Sequence, residues 1–377
     1  MKGLYPSGKE AAGGAAIARV AIAAGGTGGH VFPALAVADE LARRGVEVHF
    51  LGTSAGVEAR AVPAAGYNLE LLEMRGLRGS GWRRWAALPW ALAKSVTAAM
   101  GILRRLRPGA VLAMGGYAAA PTGLAARLQG RSLVLHEQNA VPGLTIRLLR
   151  RLARRTLTGF PEAAEQLGAR AEWVGTPVRR GLLDVDAPAG RYAERTGPLR
   201  VLVFGGSQGA QFLNREVPGC LAALAAERPV TVWHQAGRTE GATVERAYAE
   251  AGVEADVTPF IDDMAAAYAW CDLVFCRAGA ATVAELAAVG VPSVLVPFPH
   301  AVDDHQRRNA EALVHRDAAV CLTQQEWSTE AVLGLLRGRL GERAELARMA
   351  EAAREFARPD AARIVADHCL EGGENAG

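Results

Sequence analysis

A histidine set among four glycines is the first place in this chain where residue type and spacing suggest chemistry. In Gly25-Gly-Thr-Gly-Gly-His-Val-Phe-Pro33, His30 is a side chain that titrates near neutrality, and the glycines let a ligand approach bare backbone. The run Val20–Ala24 before the turn reads as a buried parallel strand. Pro33 stands where a helix is expected to begin, ahead of Leu35, Val37 and Leu41 at helical spacing. Strand, glycine turn and helix together aim free N–H groups and a helix dipole at one point, which suits an anion. A glycine turn can also simply close a tight corner. The pattern is not the dinucleotide G-x-G-x-x-G, because Val31 occupies the third glycine position. The next strand, Val46–Leu51, runs into Gly52-Thr53-Ser54 with no acid for a ribose.

Three further glycine turns follow predicted strands: Gly115-Gly116-Tyr117, Gly205-Gly206-Ser207 and Ala278-Gly279-Ala280-Ala281-Thr282. With two turns in each half, they point to a phosphate-bearing ligand held between domains. A helix starting near Ala281 puts Thr282 in its first turn and Glu285 about one turn further along the same face. A carboxylate there can accept bonds from the vicinal hydroxyls of a ribose, or merely complement the helix dipole for about 0.3–1 kcal/mol. Two polar clusters also follow strands, His136-Glu137-Gln138-Asn139 and His300-Ala-Val-Asp-Asp-His-Gln306 with Asn309 beyond it. The second reads as a sugar-recognising loop. Adjacent Asp303 and Asp304 diverge and no Asp-x-Asp follows a strand, so neither a metal nor a cofactor is expected.

Strand-like runs alternating with helical patterns must position these groups. Val20–Ala24, Val46–Leu51, Ala110–Met114, Ser132–His136 and Thr156–Thr158 punctuate the first half. Arg200–Phe204, Val230–Gln235, Ala255–Phe260, Leu273–Cys276 and Ser293–Pro297 punctuate the second. The class is α/β, with two doubly wound, Rossmann-like domains facing across a cleft. The expected organisation is a disordered leader over 1–18, a first domain over 19–176 and a second over 177–358. A helix over 359–373, amphipathic through Ala361, Ile364, Val365 and Leu370, completes the chain.

At 377 residues, half of them hydrophobic, the chain can bury two cores. Five scattered cysteines without a C-x-x-C fit reduced thiols, and no run approaches a membrane span, the nearest, Trp85–Ala93, containing Pro89. The net charge of +3 hides an asymmetry, because between Arg75 and Arg155 fifteen Lys/Arg face one acid, Glu137. Arg75–Trp90 interleaves arginines with three tryptophans, and Arg147, Arg150, Arg151, Arg154 and Arg155 read as a second basic run on a helix with Leu148, Leu149 and Leu152. Arginine for headgroup phosphates and tryptophan for the interfacial zone suit an anionic membrane surface, although solvated helix faces over core tryptophans would show the same composition. No recognition motif for nucleic acid accompanies them.

Seven segments in order carry a resemblance: Gly25–Pro33, Met114–Tyr117, His136–Asn139, Val174-Gly-Thr-Pro-Val-Arg179, Gly205–Ala210, Phe260-Ile-Asp-Asp-Met264 and Cys276–Glu285. Over Arg19 to the C-terminus the chain closely resembles the bacterial GlcNAc transferases that convert lipid I to lipid II. The resemblance implies a GT-B fold and inverting transfer from UDP-GlcNAc to the 4-hydroxyl of MurNAc in undecaprenyl-diphospho-MurNAc-pentapeptide. It places the protein peripherally on the cytoplasmic face of the cell membrane, in cell-wall biogenesis. By that analogy Thr27, Gly28 and Gly29 line the junction of acceptor and donor, and Asn139, Arg179 and Ser207 contact the diphosphate or sugar. Ile261 meets uracil through its backbone. Ala280, Ala281, Thr282, Val283 and Glu285 hold ribose and diphosphate, Gln306 the GlcNAc hydroxyls, and Tyr117 and Gln208 are further substrate contacts. His30 is the expected general base and Glu137 the alternative. Thr176, Ala281 and Met1–Ala18 depart from the family pattern. A non-hydrolysing UDP-GlcNAc epimerase and a non-catalytic nucleotide-sugar scaffold are the rival readings; the arginine–tryptophan segment disfavours the first and intact His30 and Glu285 the second.

Overall fold

The computed structural model describes residues 18–72, 82–206 and 211–371, and for 82–89 and Val302 the backbone alone. Two parallel sheets organise it. The first contains β1 (Arg19–Ala23), β2 (Glu47–Gly52), β3 (Asn68–Leu71), β4 (Ala110–Ala113), β5 (Ser132–Glu137), β6 (Arg155–Thr158) and β7 (Ala171–Trp173). Its helices are α1 (Gly28–Arg43), α2 (Glu58–Ala64), α3 (Trp82–Leu106), α4 (Ala119–Leu128), α5 (Leu144–Leu149) and α6 (Pro161–Leu167). After α7 (Arg180–Leu183) and α8 (Pro188–Ala193), the second sheet contains β8 (Leu199–Phe204), β9 (Val230–Gln235), β10 (Glu254–Thr258), β11 (Leu273–Cys276), β12 (Ser293–Leu295) and β13 (Ala319–Cys321). Around it lie α9 (Gln211–Ala225), α10 (Gly241–Glu250), α11 (Met264–Trp270), α12 (Ala280–Val289), α13 (His305–Val314), α14 (Thr329–Arg337) and α15 (Arg343–Phe356). The chain then forms α16 (Ala361–Leu370).

The strand orders are β3-β2-β1-β4-β5-β6-β7 and β10-β9-β8-β11-β12-β13. Each reverses direction once, between β1 and β4 and between β8 and β11. The crevice outside the strand ends at such a point is where ligands bind in open α/β sheets. The central strands bury both faces, which is why β1, β4 and β11 are continuous apolar runs. The strands β3, β7 and β13 are short; β3 and β7 lie at the ends of the first sheet and β13 at one end of the second. An edge strand has one partner and exposed positions, so it lacks the apolar run that marks its neighbours.

Two expectations about helices are corrected. Helix α1 begins at Gly28 with Thr27 as N-cap, not at Pro33, which sits inside it. Proline lacks the N–H that would bond the Gly29 carbonyl, so the helix forgoes one bond at that point. The second basic run is not one helix: α5 ends at Leu149, and Arg155 already belongs to β6. Its arginines diverge accordingly. Arg150 Nη1 donates to the Leu167 carbonyl, whereas Arg154 Nη2 lies 3.4 Å from Glu371 Oε2.

The chain crosses between lobes twice, at Val174–Arg179 and again after α15. Phe356 packs between Trp173 and Phe160, and the Arg358 guanidinium lies 3.9 Å from the Trp173 ring centre. Gly175, at φ +88°, makes the crossings compatible, because a Cβ there would collide with the Arg358 side chain. Helix α16 then packs on α1, β4 and β5 of the first lobe, burying Ala361, Val365, Ala366 and Cys369, and Arg44 pairs with Asp367 at 2.6 Å.

Two wholly buried histidines lock these lobes internally. His136 Nε2 donates to the Gly175 carbonyl (2.9 Å) and Nδ1 accepts from Gln138 Nε2 (3.2 Å). In the second lobe, Asn214 Nδ2 donates to the Ala236 carbonyl (2.9 Å), so Asn214 Oδ1 faces His234 Nε2 (3.0 Å) and that nitrogen carries the hydrogen. His234 Nδ1 then accepts from the Tyr248 hydroxyl (3.0 Å). Burial pushes the pKa of His136 down to about 4 and that of His234 to about 3. Both therefore fold neutral, while the unfolded chain takes up their protons below about pH 6.5. This contribution to stability is full above that value and is lost as pH falls toward the folded pKa. At pH 5 each histidine should cost about 2 kcal/mol. Urea titrations at pH 7 and pH 5 check this: in His234→Gln the loss of stability between those pH values should be smaller than wild type by about that amount, and an unchanged loss would refute it.

Candidate active site

The four glycine turns converge where the strand orders reverse. Ala24–Gly29 leaves β1 beside Met114–Tyr117 from β4, and Arg277–Ala280 leaves β11 next to the end of β8. Helices α1 and α12 pack together across the cleft. First-turn N–H groups lie outside a helix's own i→i−4 ladder; in α1 that of His30 bonds the Thr27 carbonyl at 3.2 Å. Ser207 and Gln208 lie outside the described residues.

His30 occupies the first turn of α1, half-buried, with Nδ1 3.4 Å from Thr27 Oγ1 and its ring beside the Gly25 carbonyl. Crowding by the two turns depresses its pKa to about 4, against the smaller opposing effect of the Gly25 carbonyl. With its pKa held well below 7, the imidazole is neutral at pH 7 and keeps a lone pair on one ring nitrogen. The close fit explains two glycines: a Cβ at Gly115 (φ +93°) would lie 2.8 Å from the His30 ring, and one at Gly116 (φ +77°) would overlap the Gly25 carbonyl.

Glu58, the first residue of α2, was missed in the sequence. It is wholly buried, accepting from Gly26 N (2.9 Å), Thr53 N (3.0 Å) and Thr53 Oγ1 (2.7 Å). It thereby ties the His30 turn to the end of β2. Gly25 and Gly52 leave room for it, since a Cβ at either would come within 2.5 or 2.6 Å of its side chain. The legible signal was an acid just beyond a strand end, four residues past Ser54.

Glu137 closes β5, with Oε1 accepting from Asn139 N (3.0 Å) and Asn139 Nδ2 (3.2 Å) and Oε2 from Gly143 N (2.8 Å). Burial raises its pKa against these bonds. Its oxygens hold the loop in shape, with Asn139 at the rim. Tyr117 stands 71% exposed at the mouth of the cleft.

On the opposite wall Glu285 lies one turn into α12. Its Oε2 accepts from the Tyr268 hydroxyl (3.1 Å), and Oε1 is 3.9 Å from Arg179 Nη2. Burial raises its pKa, opposed by Arg179. Arg179 also stacks 5.5 Å from the centre of the Phe32 ring in the first lobe, so it spans the cleft. Ala280, Ala281 and Thr282 form the first turn, capped by Gly279. Val283 is not brought to the cleft: its side chain is wholly buried in the core, and its N–H bonds the Gly279 carbonyl at 2.9 Å. Ile261 N donates to Gln235 Oε1 (3.0 Å), which leaves the Ile261 carbonyl as the group a base can address; Gln235 was not anticipated. Gln306 lies at the start of α13 with its Oε1 taken by Phe298 N (2.9 Å), leaving the amide nitrogen as donor. Before it, Asp303 and Asp304 both adopt left-handed backbone (φ +53° and +50°). Beneath the loop, buried Arg277 donates to the Val296 and Pro297 carbonyls (3.1 and 3.0 Å) and stacks on Phe298.

Two nucleotide-fold lobes with facing switch points, each presenting a helix N-terminus, make up the GT-B architecture, and the molecule is a glycosyltransferase of that fold. The chain belongs to glycosyltransferase family 28, whose N-terminal domain matches residues 20–158 and whose C-terminal domain matches residues 200–365. It is 56% identical over 353 residues to the UDP-N-acetylglucosamine–N-acetylmuramyl-(pentapeptide) pyrophosphoryl-undecaprenol N-acetylglucosamine transferase of Halorhodospira halophila, covering 93% of this chain and 98% of the relative. It is 55% identical to the enzyme of that name from Alkalilimnicola ehrlichii, with the same coverage. The crystal structure of Acinetobacter baumannii MurG superposes with a TM-score of 0.82 at 38% identity, covering 94% of this chain and 99% of that one.

Proposed function

We propose that the protein transfers GlcNAc from UDP-GlcNAc to the 4-hydroxyl of MurNAc in undecaprenyl-diphospho-MurNAc-pentapeptide, with inversion, forming lipid II. The observation that carries this reading is His30 on one wall of the cleft opposite a helix N-terminus backed by Glu285 and Arg179 on the other, in a chain so similar to transferases of that name. The acceptor oxygen attacks the anomeric carbon from the face opposite UDP. The new C–O bond forms as the bond to the UDP oxygen breaks, and His30 takes the hydroxyl proton. The charge developing on the diphosphate meets the first-turn N–H groups of α12, Arg179 and Ser207. Glu285 accepts from the ribose hydroxyls, the Ile261 carbonyl from uracil, and Gln306 and Asn139 bond the sugar. Thr27, Gly28 and Gly29 bring α1 against the diphosphates, and Tyr117 flanks the acceptor. Glu137 acts by holding Asn139 rather than as a base, since its oxygens already carry three hydrogen bonds. Residues 19–176 serve the acceptor and 177–358 the donor. Labelled UDP-GlcNAc and a lipid I analogue should give UDP and a disaccharide-lipid product in equal amounts. UDP release without that product would reject the reading.

The first lobe is also proposed to attach peripherally to an anionic membrane surface on the cytoplasmic side. Helices α3, α4 and α5 pack in series and expose Trp90, Leu128, Leu144 and Leu148 beside Arg147 and Arg151. No helix among the described residues is long and apolar enough to cross a membrane. Arg75–Gly81 lies outside the described residues, as do the side chains of Trp82 and Trp85. A further arginine hollow of about 570 Å³, lined by Arg150, Arg154, Arg155 and Arg170, lies at the starts of β6 and β7, the end of the sheet away from the cleft. Sedimentation with vesicles should show binding only when anionic lipid is present, weakening as salt rises from 50 to about 300 mM. Equal binding to neutral vesicles would instead mark a purely apolar contact.

A further inference from the structure

We infer that Asn309 is a positioning residue that couples the acceptor loop of the first lobe to the donor turn of the second. This rests on the transfer reaction proposed above. Asn309 belongs to α13 of the donor lobe, yet it is wholly buried and hydrogen-bonded to both lobes. Its Oδ1 accepts from Ala140 N at 2.8 Å, in the loop after β5. Its Nδ2 donates to Asn139 Oδ1 (3.3 Å) on that loop and to the Ala278 carbonyl (3.2 Å), one residue before the N-cap of α12. The chain of contacts runs from Glu137 through Asn139 and Asn309 to the turn that presents the α12 N-terminus. Each member fixes the next. Glu137 Oε1 takes the Asn139 amide, so Asn139 turns its oxygen toward Asn309; the Ala140 N–H then fixes which end of the Asn309 amide is the oxygen.

The chemistry selects an amide at this position. One side chain must accept from a backbone N–H in one lobe and donate to oxygens in both. An aspartate keeps the acceptor but sets a carboxylate against the Asn139 and Ala278 oxygens. A serine hydroxyl is one bond shorter and cannot hold all three partners at once. Neither variant removes a group that touches UDP. Their effect is therefore expected on the alignment of sugar and acceptor, where a misplacement of about 1 Å costs about 100-fold.

The test compares Asn309→Asp and Asn309→Ser with wild-type protein that forms the lipid product. Calorimetry with UDP, steady-state kinetics in both substrates, and hydrogen exchange at the Ala140 amide are the readouts. In both variants kcat should fall about 10- to 100-fold while the Kd for UDP and the KM for UDP-GlcNAc stay within about threefold, and Ala140 should exchange faster. If Asn309→Asp does not fold, Asn309→Ser carries the test through the same readouts; if neither folds, Asn309 is a structural residue and the inference falls. It is also overturned if kcat stays within threefold of wild type, or if UDP affinity falls in step with kcat, which would confine Asn309 to shaping the donor turn. Failure of the wild-type protein to form product would instead reject the transfer reaction itself.

Discussion

His30→Ala should lower kcat by about 10²–10⁴ while leaving the Kd for UDP near its wild-type value. His30 lies on the first-lobe wall of the cleft, within hydrogen-bonding distance of Thr27 Oγ1, and the groups proposed to hold UDP belong to the other lobe. Because its pKa is depressed to about 4, the neutral, proton-accepting form persists as pH falls well below 6.5. In the free enzyme kcat/KM should therefore stay flat with respect to this group from pH 7 down to about 5, and fall about tenfold per unit only below pH 4. The lipid-linked acceptor carries phosphates, and their negative charge raises the pKa of a neighbouring imidazole, so the limb in kcat should lie above the limb in kcat/KM. Near-wild-type turnover in the alanine variant would remove His30 from the role. An acid limb in kcat/KM near 6.5 would show that the glycine turns do not exclude water from the ring.

The second large effect belongs to Glu58, which touches no proposed substrate group. Its two oxygens accept three donors, and Glu58→Gln places an NH2 against one of them, Gly26 N on one side or the Thr53 pair on the other. A buried donor left without an acceptor costs about 1–3 kcal/mol, and two facing donors add repulsion, so stability should fall by about 2–4 kcal/mol. The turn carrying His30 shifts with it, and kcat should drop about tenfold or more. UDP affinity should hold, because the second sheet has no bond to Glu58 among those described. Urea unfolding gives the first quantity and steady-state kinetics the second. Stability within about 0.5 kcal/mol of wild type would mean that the glycine turn holds its shape without the carboxylate.

Glu58 and Asn309 also show where reading the chain alone stops. In the sequence Asn309 is one more polar residue beyond the loop after β12, and Glu58 an acid past a strand end. Their meaning lies in partners far away in sequence, 32 residues from Glu58 to Gly26 and 170 from Asn309 to Asn139. Val283 errs in the opposite direction. Its neighbours in the motif line the cleft, but the helical rotation that points Glu285 toward Arg179 turns Val283 into the core.

What the sequence determined by itself is the repeated unit, an apolar strand running into glycine and then a helix, and with it the α/β class, the two lobes and the places where the glycine turns fall. Those features are local: doubly buried parallel strands require unbroken apolar runs, and close approach of a ligand or of a second turn requires the absence of Cβ. Only the tertiary structure decided that α1 starts at Gly28 ahead of its own proline, that Arg147 and Arg155 belong to different elements, and that β3, β7 and β13 complete the sheets. It also set the protonation of His30. An imidazole near pKa 6.5 becomes one near 4 only when a glycine turn from a strand about ninety residues further along closes over it, and desolvation of that kind is a property of the packed molecule.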